Sequence, residues 1–119
     1  MNIAIGRTGI RLSAVASLRD TVTESFSSHE LRAELVLDDN NSKNYFQQLE
    51  AEKEKIEKEI GEQLTWHNLP DKCMCRIYVR KSTDLQDRAK WTEQHKWLLD
   101  KLELFYKIFA ERVRRLEVK

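Results

Sequence analysis

From Ile10 onward the chain alternates, with Ile10, Leu12, Ala14, Ala16 and Leu18 on one side and Arg11, Ser13, Val15, Ser17 and Arg19 on the other. A period of two predicts a half-buried strand. The short apolar run at residues 2–5 precedes Gly6-Arg7-Thr8-Gly9, so a first strand should turn through the two glycines into this one. Residues 20–29, rich in Ser and Thr, predict an exposed loop. After it Leu31, Ala33, Leu35 and Leu37 alternate with Arg32, Glu34 and Val36 as a further strand.

The period then lengthens. Asp38-Asp39-Asn40-Asn41-Ser42 offers capping oxygens and Gly61 a C-terminal stop. Between them Phe46, Leu49, Ile56 and Ile60 mark the narrow stripe of one amphipathic helix. The mixed charges from Glu50 to Glu59 read as a solvated surface laced with weak ion pairs rather than a partner face. Leu64 and Trp66 predict a short strand and Pro70-Asp71 a turn; Cys73, Cys75, Ile77 and Val79, alternating with Met74, Arg76, Tyr78 and Arg80, predict another strand. Ser82, Thr83 and Asp84 are candidate caps for a last helix reaching about Leu116. Its core positions are Trp91, Leu98, Leu102, Phe105, Phe109, Val113 and Leu116, with Leu99 and Tyr106 beside them.

These elements predict a single α+β domain over residues 1–119. An antiparallel sheet of four to five strands carries two amphipathic helices on one face, in the order ββ(β)-α-ββ-α. A chain of 119 residues can bury one such core but not two.

Composition narrows the function classes. Lys+Arg 21 against Asp+Glu 20 leaves a net charge of +1, which excludes a globally basic nucleic-acid coat and makes any charged surface local. No apolar run approaches the roughly 20 residues of a spanning helix, and no signal-like segment opens the chain, so a cytoplasmic protein without a membrane partner is expected. Cys73 and Cys75, one residue apart, would stand about 7 Å apart on one strand face, too strained for a disulfide, and are expected as reduced thiols.

Chemistry-bearing patterns are sparse. Cys73, Cys75, His67 and His95 lack the paired spacing of zinc ligands, so neither metal nor cofactor is expected. His95 falls on the apolar arc of the last helix, as a core histidine does. There is no glycine-rich phosphate loop and no Gly-x-Ser-x-Gly. The one Glu-x-Lys, Glu117-Val118-Lys119, lies at the frayed end of a helix, away from any nuclease-like carboxylate set. Catalytic residues are therefore not assigned.

Two surfaces remain. Opposite the helices, Arg11, Arg32, Arg76 and Arg80 project with Tyr78, a combination that can neutralise phosphates and stack a base. Glu34 on that face opposes it, and a plain solvated outer face is the simpler reading. On the last helix Trp97, Leu104 and Ile108 form a second apolar stripe, which calls for dimerisation or a neighbouring domain unless the helix is sunk between other elements.

The order of motifs also carries a resemblance. Arg32-Ala33-Glu34-Leu35-Val36-Leu37, then Phe46, Leu49, Ile56-Glu57, Gly61, Leu64 and Trp66, then Arg76-Ile77-Tyr78-Val79, then Trp91, His95, Trp97, Leu102, Phe105 and Phe109 follow in sequence. This set resembles the prokaryotic domain of unknown function numbered four-two-six-eight. The resemblance implies no established activity and no catalytic residues. It also implies the company of restriction-endonuclease-like proteins, in which such domains stand C-terminally, and hence a DNA-associated or defence-related accessory role. No nuclease domain precedes the match here, so a stand-alone member or an excised fragment is implied. The expectation is a non-catalytic interaction domain, a homo-oligomer (dimer) through the last helix or a companion of a nuclease-like domain. The alternative is a weak nucleic-acid-binding module using the arginine face.

Overall fold

A computed structural model describes residues 2–17, 29–68, 73–83 and 85–117. The alternating segments form β1 (Asn2–Ala4), β2 (Ile10–Ser17), β3 (His29–Asp38), β4 (Thr65–Asn68) and β5 (Met74–Thr83). They make one antiparallel sheet in the order β1-β2-β3-β5-β4. Because side chains alternate across a strand, register carries the inner residues into continuous rows. Leu12, Leu35, Ile77 and Trp66 stand side by side across four strands.

That inner face is covered by α1 (Ser42–Glu50) over β3, β4 and β5, and by α3 (Trp91–Arg114) over β2 and β3, with α2 (Lys53–Ile60) against α3. Phe46, Leu49 and Ile56 from the first two helices meet Phe105, Phe109 and Val113 in one buried cluster on Leu12, Leu35 and Ile77. The α+β class and the five-stranded antiparallel sheet agree with the sequence pattern, but the helix count does not.

The single helix expected up to Gly61 is two. Backbone bonding shifts at Ala51–Glu52, where the Glu52 amide donates to Leu49 O rather than to the carbonyl four residues back. A straight helix with Phe46, Leu49, Ile56 and Ile60 facing inward would place Lys53 on the same stripe. The break leaves Lys53 exposed while Ile56 and Ile60 stay buried. Gly61 ends α2 in the left-handed region (φ 90°), its amide bonding Glu57 O, as the sequence suggests.

The start of the last helix also differs. Ser82 and Thr83 extend β5 instead of capping, and Asp87 caps a 3-10 turn at Arg88–Lys90, accepting from the Ala89 amide at 3.1 Å. Leu18, the loop at 20–28, the Pro70-Asp71 turn and Asp84 lie outside the described residues.

Two links tie the β1–β2 turn to the helices. Gly9 has φ +83°, and a Cβ there would meet Asp39 Oδ2 at 2.7 Å, so the close approach of the turn to the β3 exit requires glycine. Arg7 donates through Nη1 to Val113 O (3.1 Å) and Leu116 O (2.6 Å) and through Nη2 to Tyr45 Oη (3.1 Å), with its guanidinium over the Tyr45 ring. It thereby adds a charged donor to Val113 O, which also accepts from the Leu116 amide at 3.3 Å, and supplies one to Leu116 O beyond the helix end. Arg7→Ala is expected to lower unfolding free energy by about 1–3 kcal/mol in urea denaturation. Arg7→Lys should restore little, because a point ammonium cannot reproduce the forked donor set; full rescue by lysine would refute this account of the clamp.

Candidate functional site

The outer face of the sheet is built by the alternate residues of the same strands. One end is a closed charge lattice. Glu30, fully buried on β3, accepts from Arg32 Nη1 at 2.5 Å and from Arg80 Nε at 2.8 Å, while Arg32 Nε donates to Glu34 at 2.7 Å. Register explains the meeting: Arg32 pairs directly with Arg80, and the two glutamates on either side of Arg32 keep the cations from facing each other alone. Burial by itself would lower the proton affinity of Arg32, but its hydrogen bonds to Glu30 and Glu34 and their charges outweigh that, holding it above the usual arginine value. The Arg32 guanidinium also lies over the Tyr78 ring, 5.6 Å from its centroid, and Tyr78 is only 8 % exposed.

The other end of the face is open in charge. One row runs Arg11, Val36, Arg76, His67 across β2, β3, β5 and β4. Arg11 Nη1 is 3.7 Å from Asp38 in a half-exposed pair. Arg76 has no carboxylate partner among the described residues; its Nη2 approaches Met74 Sδ at 3.6 Å. The Nε atoms of both Arg11 and Arg76 are buried without a hydrogen-bond partner. The five residues Arg11, Arg32, Arg76, Tyr78 and Arg80 thus share a face, as their alternation suggests, but divide into a neutralised group around Glu30, Arg11 in a looser pair with Asp38, and Arg76 without a carboxylate among the described residues.

The second expected surface is rearranged. Ile108 is buried, and Trp97 and Leu104 are partly buried against the core. The stripe expected to face a partner therefore packs inward, because α2 lies alongside α3 and Arg112 bridges Glu52 (3.6 Å) and Glu59 (2.9 Å) across that seam. The expected core positions Leu102, Phe105, Phe109, Val113 and Leu116 are buried, but the arc extends toward α2 and not the other way: Trp91, Leu99 and Tyr106, expected in or beside the core, are 44 %, 54 % and 47 % exposed. His95 is exposed as well, and the inward position near the start of α3 belongs to Gln94, which donates to Thr83 Oγ1 at 2.8 Å. Leu99 and Tyr106 border an open groove of about 280 Å³, lined with them by Ile3, Leu12, Leu102 and Glu103. The groove runs beside β1, which is an edge strand paired with β2 alone among the described residues.

The cysteines separate. Cys75 is buried and its Sγ lies 3.5 Å from Asn68 Oδ1, whereas Cys73 precedes β5 and is exposed, not on the apolar strand face. Among the described residues no three His, Cys, Asp or Glu side chains gather as metal ligands, and no helix is long and apolar enough to cross a membrane.

Against known proteins, the family described as Domain of unknown function (DUF4268) matches residues 1–113. No curated protein and no solved structure matches the chain.

Proposed function

This chain belongs to the DUF4268 family, a domain of unknown function, and we propose that it is a non-catalytic interaction domain that self-associates through the outer side of α3. The observation that carries this reading is the exposure of Leu99 and Tyr106 on the rim of an apolar groove beside the edge strand β1. Large apolar side chains clustered on a rim of this kind favour burial against a partner. Trp97, Leu104 and Ile108 support the same helix from behind, by fixing its depth in the fold.

Light scattering after size exclusion, over a range of concentrations, tests it. The wild type is expected as a dimer and Leu99→Asp as a folded monomer with an unchanged circular dichroism spectrum. A wild type that stays monomeric at high concentration would refute self-association. Trp97→Asp is a poor probe, because the partly buried indole also serves the core.

A second reading is favoured by one observation, the absence of an acidic partner for Arg76 among the described residues. On that reading the outer sheet face makes a weak nucleic-acid contact, which suits an accessory to DNA-processing or defence proteins.

A further inference from the structure

We propose that the Arg11–Arg76 end of the outer sheet face binds the phosphodiester backbone of nucleic acid, without reading its bases; this rests on the second reading above. Four observations converge. The arginines at the other end are committed, since Arg32 and Arg80 are held by Glu30 and Glu34. The aromatic that could have stacked a base is covered, since Tyr78 is nearly buried with Arg32 over its ring. Arg76 has no acid opposite it among the described residues, and both it and Arg11 carry a buried Nε donor without an acceptor. Finally, the two arginines flank Val36 in one row, two strand spacings or about 10 Å apart at the backbone, so their flexible forks can meet one phosphate or two neighbouring ones.

The row also defines what would accompany the phosphate. His67 stands next to Arg76 on the exposed edge strand and adds a hydrogen-bonding imidazole. Asp38 is the competitor, 3.7 Å from Arg11, and a phosphate must share Arg11 with it. Without a stacking platform, binding should be indifferent to base identity and even to the presence of bases.

Fluorescence anisotropy with labelled oligo-dT and an abasic strand of equal phosphate count tests this on the full chain. Both strands are expected to bind alike, with log K falling against log salt at a slope of about −1.4, or roughly 25-fold between about 20 and about 200 mM NaCl, for two phosphate contacts. Arg76→Gln and Arg11→Gln should each weaken binding about tenfold or more. Asp38→Asn should strengthen it about two- to fivefold, a gain that damage to the fold would not produce. Arg80→Gln should leave affinity within about twofold, as a residue already held in an ion pair.

Loss of binding in Arg80→Gln with retention in Arg76→Gln would overturn this assignment while keeping the sheet face as the nucleic-acid surface. A clear preference for oligo-dT over the abasic strand would overturn the backbone-only mode. No binding by the wild type at low salt would overturn both the assignment and the reading beneath it.

Discussion

Glu30→Ala is expected to cost the fold about 3–5 kcal/mol, measured as a drop in urea midpoint at unchanged m-value. The carboxylate is fully buried and holds two arginines, Arg32 with its side chain 11 % exposed and Arg80 at 25 %. Removing it leaves Arg80 without that acceptor and Arg32 with Glu34 alone, so the loss is chiefly the cost of charge left poorly compensated rather than of one contact. Glu30→Gln, which keeps shape and one acceptor, should cost less. The raised proton affinity of Arg32 contributes stability at every pH below the arginine range and loses it only above that range, so this pair gives no alkaline transition at working pH. A loss under about 1 kcal/mol for Glu30→Ala would show that solvent screens the lattice.

Phe109→Ala is expected to be comparably severe, about 3–5 kcal/mol, and for a different reason. Phe109 and Phe105 are fully buried on α3, with ring centroids 5.4 Å apart and planes tilted by 58°. Truncation removes apolar area from the buried cluster through which α3 packs on β2 and β3, and leaves a cavity in the core that Ile56 and Ile60 of α2 also help to build. Against a total stability of roughly 5–15 kcal/mol, that is enough to populate the unfolded state. Leu99→Ala on the exposed flank of the helix should change the stability of a monomer by less than about 0.5 kcal/mol, which separates core from surface on one element.

The strands were legible because alternation on a half-buried sheet leaves a period of two in the residues themselves, as Leu31 to Leu37 and Cys75 to Val79 display. The bend between α1 and α2 was not, since neither glycine nor proline marks it; its cause is the tertiary need to keep Lys53 out of the core. The inward direction of α3 was legible, since Leu102, Phe105, Phe109, Val113 and Leu116 are buried as their spacing predicts. Which flank of that stripe is also covered was not, because apolar residues continue on both sides of it and the packing of α2 decides between them.

On the outer face, the five candidate residues were legible as a group, but their split into committed and available arginines was not. That split depends on Glu30, which sits just before the residues from which the strand pattern is recognisable and which only the full length of β3 brings opposite Ser82 and beside Arg80. A signal was present: Glu30-x-Arg32-x-Glu34 alternates sign along one strand face, the pattern of an internal ion-pair ladder rather than of a free basic surface.

The position of β5 between β3 and β4 has a kinetic consequence. The outer hairpins, closed near Ala4 with Arg11 and near Asn68 with Cys75, join segments close in the chain and form at small entropic cost. The central pair does not, because every pairing from Asp38 with Met74 to His29 with Thr83 closes around α1, α2 and β4 together. Folding therefore waits on that one long-range meeting, and a chain arrested before it holds two finished hairpins whose inner edges are still unsatisfied. Once the seam is made, the same geometry works in reverse: hydrogen exchange is expected to show the rims of the sheet opening first and the β3–β5 amides exchanging with global unfolding.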